Sequence, residues 1–282
     1  MRIALLQTNA SDDPARNLAA THDMIVEAAE GGATFVLTPE VTNCVSANRT
    51  RQTSVLRPEE KDATLSALAA AAEEYGIWLL IGSLALQSGD PDGRFANRSF
   101  LIGPDGMVRA RYDKIHMFDV DVSPEETYRE SAGYRPGSEA ILARTEIGTI
   151  GMTICYDVRF PHLYRSLAQQ GAEILTVPAA FSPGTGPMHW EPLLRARAIE
   201  TGSFVLAPAQ TGTHSATSGR ERRTHGHSLV VSPWGEVLLD AGTEPGVHFA
   251  EIDLAAVSEA RRKVPSVLSD AVFDVRVMGE PT

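Results

Sequence analysis

The chain has 282 residues, 43% of them hydrophobic and 22% charged, an ordinary globular balance in a length that one α/β unit with a large core can fill. Its formal net charge of −11 argues against nucleic acid or an anionic membrane as the main partner, because both select a basic surface. A small anionic substrate held by a few local cations stays compatible with that charge. Two cysteines, Cys44 and Cys155, are too few for a disulfide framework and suit a reducing compartment.

Residues 3–7 read as a short apolar strand that the chain enters directly, without a signal-peptide layout. Asp13-Pro14 marks a helix start, and Leu18, Ile25, Val26 and Ala29 keep helical spacing until Gly31-Gly32. Residues 33–37 form the next strand, with Glu40 just beyond it. The polar segment 41–55 is expected to be a surface loop near the site. Pro58 opens an alanine-rich helix that runs to Tyr75 and stops at Gly76. Residues 77–86 are nearly all apolar and read as an inner strand buried on both faces. After a turn at 89–93, residues 94–102 and 107–111 make a hairpin around Pro104-Asp-Gly106. The next apolar-poor stretch, 117–136, has no clean periodicity and is expected to be a long loop over the site.

Residues 147–154 then read as a buried strand closed by Cys155, and Pro161 opens a helix through Leu163, Leu167 and Ala168. A strand at 173–178, a Gly- and Pro-bearing loop at 179–187, a helix at 189–200 and a strand at 203–207 follow. A polar, basic loop at 212–224 carries Arg220, Arg222 and Arg223. Residues 226–232 and 236–239 form a second hairpin, 247–252 a last strand, and Asp253 caps a helix to Lys263. Residues 1–265 thus read as a single domain and 266–282 as a tail. Val264, Val267, Leu268, Val272 and Phe273 are placed to pack on a partner subunit. No run approaches the roughly 20 apolar residues of a membrane span. The expectation is a cytoplasmic chain whose order of elements, mixed α/β with helices on the outer faces, fits two stacked sheets or one open sheet.

Three ionisable residues stand just past strands: Glu40 in Thr38-Pro-Glu40, Lys114 in Tyr112-Asp-Lys-Ile-His116, and Cys155 in Cys155-Tyr-Asp-Val-Arg-Phe-Pro161. Cys155 sits where a strand turns toward a helix, as nucleophiles do on the elbows of unrelated hydrolases. A nearby helix N-terminus and a cation are both expected to favour its thiolate.

These three motifs, in this order and with these flanks, resemble the catalytic triad of the nitrilase superfamily, the carbon–nitrogen hydrolases, from Ile3 to about Pro265. The resemblance implies a four-layer α-β-β-α sandwich that commonly dimerises, so a homodimer or higher homo-oligomer is expected. It implies hydrolysis of a small-molecule amide without a cofactor or metal. Cys155 would be the nucleophile and would form a thioester; Glu40 would shuttle the proton. Lys114 and the backbone N–H of Tyr156 would hold the oxyanion. Glu130, in Tyr128-Arg-Glu130-Ser, matches a second glutamate that orients lysine and substrate in that family.

The stretch 186–200, with His189-Trp-Glu191 and Arg195-Ala-Arg197, resembles the Nit-type amidases, closer to deaminated glutathione amidases than to ω-amidases. It departs at Pro192, which a first helical turn tolerates. Asp157 and Arg159 are expected to brace the elbow, and Arg159, His189, Trp190 and Glu191 are also candidates for substrate contact. Competing readings are an ω-amidase, an N-carbamoyl amine hydrolase or a nitrilase. A metal hydrolase rests only on His225-Gly-His227, with no third ligand cluster. A papain-like protease lacks its local cysteine signature. A nucleotide-binding module lacks its glycine-rich loop, and a non-catalytic interaction protein has no use for Glu, Lys and Cys each at a strand end.

Overall fold

The computed structural model describes residues 1–123 and 126–279. In chain order the first half comprises β1 (Arg2–Gln7), α1 (Pro14–Glu30), β2 (Phe35–Leu37), α2 (Arg49–Val55), α3 (Ala63–Tyr75), β3 (Trp78–Gln87), β4 (Phe95–Ile102), β5 (Val108–Asp113), β6 (Asp119–Ser123) and β7 (Glu126–Arg129). The second half comprises β8 (Ile141–Thr145), β9 (Gly148–Met152), α4 (Pro161–Gln169), β10 (Ile174–Thr176), α5 (Gly186–Thr201), β11 (Phe204–Ala207), β12 (Thr211–His214), β13 (Arg222–His225), β14 (Leu229–Val231), β15 (Val237–Asp240), β16 (Gly246–Glu251) and α6 (Ala255–Lys263).

Two six-stranded sheets carry the core, ordered β16-β1-β2-β3-β4-β5 and β15-β14-β11-β10-β9-β8. Parallel pairs β1·β2·β3 and β9·β10·β11 lie at their centres, flanked by antiparallel strands. The period of two along each strand sorts side chains to opposite faces. Ile3, Leu5, Phe35, Leu37 and Leu80 join Ile150, Met152, Ile174 and Val205 of the other sheet in one apolar cluster. Their neighbours Ala4, Leu6, Val36, Leu79 and Ile81 join Ile25, Ala28, Leu65, Leu68 and Ala72 of α1 and α3 in another. Leu163 and Leu167 of α4 and Trp190, Leu194 and Ala198 of α5 cover the second sheet. The result is the four-layer α-β-β-α sandwich, in which continuous apolar strands are buried on both faces.

Helix ends follow local chemistry. Asp13 caps α1 by accepting from Ala15 N at 3.0 Å, with Pro14 in the first turn. The helix expected from Pro58 begins instead at Ala63, because Asp62 accepts from Leu65 N at 2.9 Å and residues 59–61 form a separate 3₁₀ turn.

Three further expectations need correction. The segment 41–55 is not a surface loop: Val41, Thr42, Asn43, Cys44 and Val45 are buried, and α2 closes the segment. Its polar side chains are spent on backbone, as where Asn43 accepts from Ala85 N at 2.9 Å and donates to Ala85 O at 3.0 Å. The stretch 117–136 contains the ribbon β6–β7, and 212–224 contains the ribbon β12–β13. Each ribbon is a two-stranded sheet; β6–β7 mixes half-buried with exposed residues, and what β12–β13 buries is polar, Thr211, His214 and Thr224, so neither carries apolar periodicity. Strand β8, unassigned from the sequence, pairs antiparallel with β9. Of the tail, Glu280 to Thr282 lie outside the described residues.

Candidate active site

Glu40 follows β2 by three residues, and the chain turns sharply there: Val41 has φ +49°, a left-handed value that β-branched residues rarely adopt. Gly82 of β3 makes the turn possible, since a Cβ there would lie 2.0 Å from Thr38 O and 2.5 Å from Pro39 O. Hydrogen bonds lock it, from Gly82 N to Thr38 Oγ1 at 3.0 Å and from Val41 N to Ser83 Oγ at 2.8 Å. Cys155 is the counterpart on the other sheet. It opens the 3₁₀ turn Cys155–Arg159 with φ +48°, and its N–H donates to Pro178 O at 2.9 Å. Two non-glycine residues in strained conformations, one beside the carboxylate and one carrying the thiol, mark the site.

Asp157 ties the second motif to the third. Fully buried, it accepts from Tyr112 Oη at 2.6 Å, His116 N at 3.1 Å and Ile154 N at 2.9 Å, and its Oδ1 lies 2.7 Å from His116 Nδ1. His116 in turn stacks on Phe160 at 3.6 Å between centroids. Lys114, between Tyr112 and His116, is thereby carried to the centre.

Lys114 Nζ donates to Glu40 Oε1 at 2.9 Å and to both oxygens of Glu130 at 2.9 and 2.8 Å. Glu40 also accepts from Asn97 Nδ2 at 2.9 Å and from Ala180 N at 2.8 Å. Glu130 accepts from Phe118 N at 2.7 Å. Burial opposes ionisation of Glu40, but the charge and hydrogen bond of Lys114, with those of Ala180 and Asn97, outweigh it and hold the carboxyl below its ordinary range. Lys114 is likewise disfavoured by burial yet held well above its usual value by Glu130 and Glu40. For Cys155 the balance reverses the thiolate expectation. Burial and the neighbouring Glu40 carboxylate, to which the thiol hydrogen-bonds, raise it well above the ordinary thiol range, and Lys114 only partly offsets them. The resting pair is therefore carboxylate and thiol, which is the state a general base needs.

These groups open onto a cavity of about 1050 Å³ lined by Glu40, Lys114, Glu130 and Cys155, at the upper end of ligand-site volumes. Phe118, Tyr128 and Tyr156 form an aromatic wall, with centroids 4.8 and 4.9 Å from Phe118. The two ribbons form the rim and bring Glu126 and Arg222 to it. The backbone N–H of Tyr156 lies in the first turn after the thiol, where a helical start leaves donors without intrahelical partners.

Arg159, His189, Trp190 and Glu191 do not line this cavity. Arg159 lies 3.2 Å from His189 Nδ1 and over the Phe181 ring, Trp190 donates to His227 O at 2.7 Å, and Glu191 pairs with Arg195 at 3.3 Å. Arg197 is buried on Val158 O and Glu200. His225 stacks on His227, which pairs with Asp240 at 2.9 Å. Asn97 and Glu126 are site residues that the sequence reading missed. Asn97 left a trace, as a polar residue inside the apolar run of β4.

A Cys–Glu–Lys cluster at the meeting of two strand ends in an α-β-β-α sandwich defines a carbon–nitrogen hydrolase of the nitrilase superfamily. The chain matches the carbon-nitrogen hydrolase family across residues 2–262 and belongs to it. It is 38% identical over 270 residues to a deaminated glutathione amidase of Synechocystis, covering 94% of this chain and 96% of that one. Its structure superposes on the C. elegans NitFhit protein with a TM-score of 0.83 at 36% identity, covering 94% of this chain and 63% of that one. A glutamate-to-glutamine mutant of an amidase from Nesterenkonia sp. AN1, with acrylamide added at its active-site cysteine, gives a TM-score of 0.75 at 28% identity, covering 94% of this chain and 98% of that one.

Proposed function

We propose that the protein is an amidase that cleaves the terminal amide of a small anionic substrate of the deaminated glutathione type, through a thioester on Cys155. The observation that carries this reading is the Glu40 carboxylate, held ionised by three donors and hydrogen-bonded to the protonated thiol. Glu40 removes the thiol proton as sulfur attacks the amide carbon. One Lys114 N–H shared by the two Glu130 oxygens leaves another for the oxyanion, which Tyr156 N–H also meets. Glu40, now protonated, gives its proton to the departing nitrogen, so ammonia leaves and the thioester remains. A water then takes the place of ammonia. Glu40 accepts its proton, hydroxide adds to the thioester carbon, and the carboxylic acid leaves as Cys155 regains its proton.

The anionic preference is supported by Arg222 on the cavity rim. Its guanidinium lies 6.0 Å from the Tyr128 ring, and among the described residues it faces no carboxylate within ion-pair distance. Arg49 is occupied by Gly133 O and Gly93 O, and Arg129 by Asp121. The likeness to deaminated glutathione amidases supports the same substrate. Residues 1–265 act as one hydrolase domain; Val267 is buried on the chain's own side, where Arg165 and Gln169 of α4 donate to Ser266 O and Val267 O, and the tail beyond Asp270 docks on a second copy in a homodimer. Val272, Phe273, Val275 and Met278 are each at least 80% exposed in the single chain, more apolar surface than a tail needs in water. Two free cysteines fit a cytoplasmic enzyme.

The test is ammonia release from deaminated glutathione, α-ketoglutaramate, succinamate, N-carbamoyl amino acids and simple nitriles, with sedimentation of the whole chain and of one truncated after Asp270. Deaminated glutathione should have the highest kcat/KM of the panel. A larger value for a nitrile or a carbamoyl compound would replace this reading.

A further inference from the structure

We propose that Asn97 is a positioning residue of the reaction: its amide N–H₂, set between Glu40 and Glu130, keeps the Glu40 carboxylate available as base beside a second acid. The inference rests on the role of Glu40 given above. Three charged groups meet here, one ammonium between two carboxylates, so the buried cluster carries a net −1 when all are ionised. Two carboxylates so close ordinarily share a proton, with one of them raised. A shared proton would remove the base.

Asn97 is the residue that touches all three. Its carbonyl accepts from Lys114 N at 3.0 Å, and its Nδ2 lies 2.9 Å from Glu40 Oε1 and 3.3 Å from Glu130 Oε1. The side chain thus places a neutral N–H₂ group between the carboxylates, while the main chain fixes the lysine that faces both. Its position is rigid, 2% exposed in the middle of β4 and opposite Ala85 of β3.

The orientation of the amide carries the argument further. Asn97 Oδ1 is one of three buried side-chain polar atoms among the described residues without a hydrogen-bond partner, and the one of the three that belongs to the charged cluster. Leaving a buried carbonyl unpaired is unfavourable. Turning the amide over would aim that oxygen at two carboxylates. The N–H₂ group is therefore held toward the acids at the expense of its own oxygen. A residue kept only for packing would be served as well by an apolar side chain of the same size.

The experiment compares Asn97→Asp, Asn97→Ala and Asn97→Leu with the wild-type full chain. Folding is checked by circular dichroism and thermal melts. Two profiles are read from about pH 3, as far into acid as the melts show each protein folded, up to pH 10: kcat/KM for deaminated glutathione, and the rate at which iodoacetamide alkylates Cys155. In the wild type both should hold their neutral value down to the acid limb of Glu40. In Asn97→Asp, nearly isosteric but bringing a third carboxylate, both limbs should move up by about one pH unit or more. In Asn97→Ala and Asn97→Leu they should move in the same direction by less, with kcat reduced more than KM is raised. Acid limbs that superimpose on the wild type in any folded variant overturn the inference, even where activity is lower, because a purely structural loss has no reason to move a titration. An active Glu40→Gln would instead defeat the role of Glu40 itself.

Discussion

Replacing Glu40 by Gln separates the chemistry of the site from its architecture. The four groups that face the carboxylate are all donors: Lys114 Nζ and Asn97 Nδ2 on Oε1, Ala180 N on Oε2, and the Cys155 thiol. Glutamine offers one acceptor oxygen and one N–H₂ group. If the oxygen meets Lys114 and Asn97, the N–H₂ group faces Ala180 N–H, and that buried donor loses its bond at about 1–3 kcal/mol. Lys114 keeps Glu130 as a counter-ion, so no uncompensated charge is left, and the mutant should fold with a stability loss inside that range. The chemical loss is larger. Without a base the thiol stays protonated, because burial holds it well above the usual thiol range. General-base catalysis is worth about 10²–10⁴-fold, or about 3–5 kcal/mol of barrier. The assay is single-turnover ammonia release beside a urea melt on the same preparation. A kcat within about threefold of wild type, with an intact melt, would leave Glu40 outside the reaction and refute the reasoning, since general-base loss is at least about 10²-fold.

Arg222→Met should lower kcat/KM for deaminated glutathione by up to about fivefold at low salt, the scale of a half-buried ion pair at a rim. Its activity on the same compound with both carboxylates amidated should stay at the wild-type level; equal losses on both would remove Arg222 from recognition. Asp157→Ala strips the acceptor from Tyr112 Oη, Ile154 N and His116 N, and should cost about 3 kcal/mol or more at roughly 1–3 kcal/mol per orphaned donor, read as a fall in Tm. Stability should also depend on pH in two windows. Glu40 is lowered in the folded state, so its contribution is present above the ordinary carboxylate range and lost as pH falls through the lowered value. Cys155 and Cys44 are raised, Cys44 to about 12 from 9.0. Their contribution is present below pH 9.0 and lost as pH rises, so Cys44→Ala with Cys155→Ala should flatten the alkaline decline in Tm.

What the sequence disclosed tracks where burial and function left a pattern. The inner strand at 77–86 is visible because both its faces are buried, and Asp13-Pro14 is visible because capping is local chemistry. The ribbons β6–β7 and β12–β13 are not visible, since the first mixes half-buried with exposed residues and what the second buries is polar. Asn43 and the segment around it read as solvated, because composition does not show that a polar side chain is serving the backbone of β3. Glu40, Lys114 and Cys155 stand out through their flanks, while Arg159, His189, Trp190 and Glu191 follow motif proximity rather than geometry. Outside the cavity Arg159 meets His189 across the elbow and α5, Trp190 ties α5 to His227, and Glu191 pairs with Arg195 within α5. The thiolate expectation weighed the cation near Cys155 and could not weigh the carboxylate beside it.

The division of the site between two sheets gives that carboxylate its place. Glu40 and Lys114 leave the ends of β2 and β5 on one sheet, while Cys155 and Ala180 lie beyond β9 and β10 on the other. The bonds that complete the site cross this boundary: Ala180 N to Glu40 Oε2 at 2.8 Å and Tyr112 Oη to Asp157 Oδ2 at 2.6 Å. Gln210 Nε2 adds a third, to the backbone oxygen of Glu40 at 3.0 Å. Burial and the Glu40 carboxylate from the other sheet raise Cys155, while Glu40, whose counter-ion Lys114 leaves the same sheet, draws on the other half through burial and the Ala180 N–H. Ionisation of the base is therefore coupled to closure of the sandwich, and the apolar cluster shared by the sheets sets the geometry of proton transfer. A cavity at Leu5, fully buried between the sheets, should cost about 2–5 kcal/mol in Leu5→Ala. If the coupling holds, that variant also moves the acid limb of kcat/KM upward, although Leu5 touches none of the reacting groups. A limb unmoved by a loosened core would mean that the strained turns at Val41 and Cys155 position the pair by themselves.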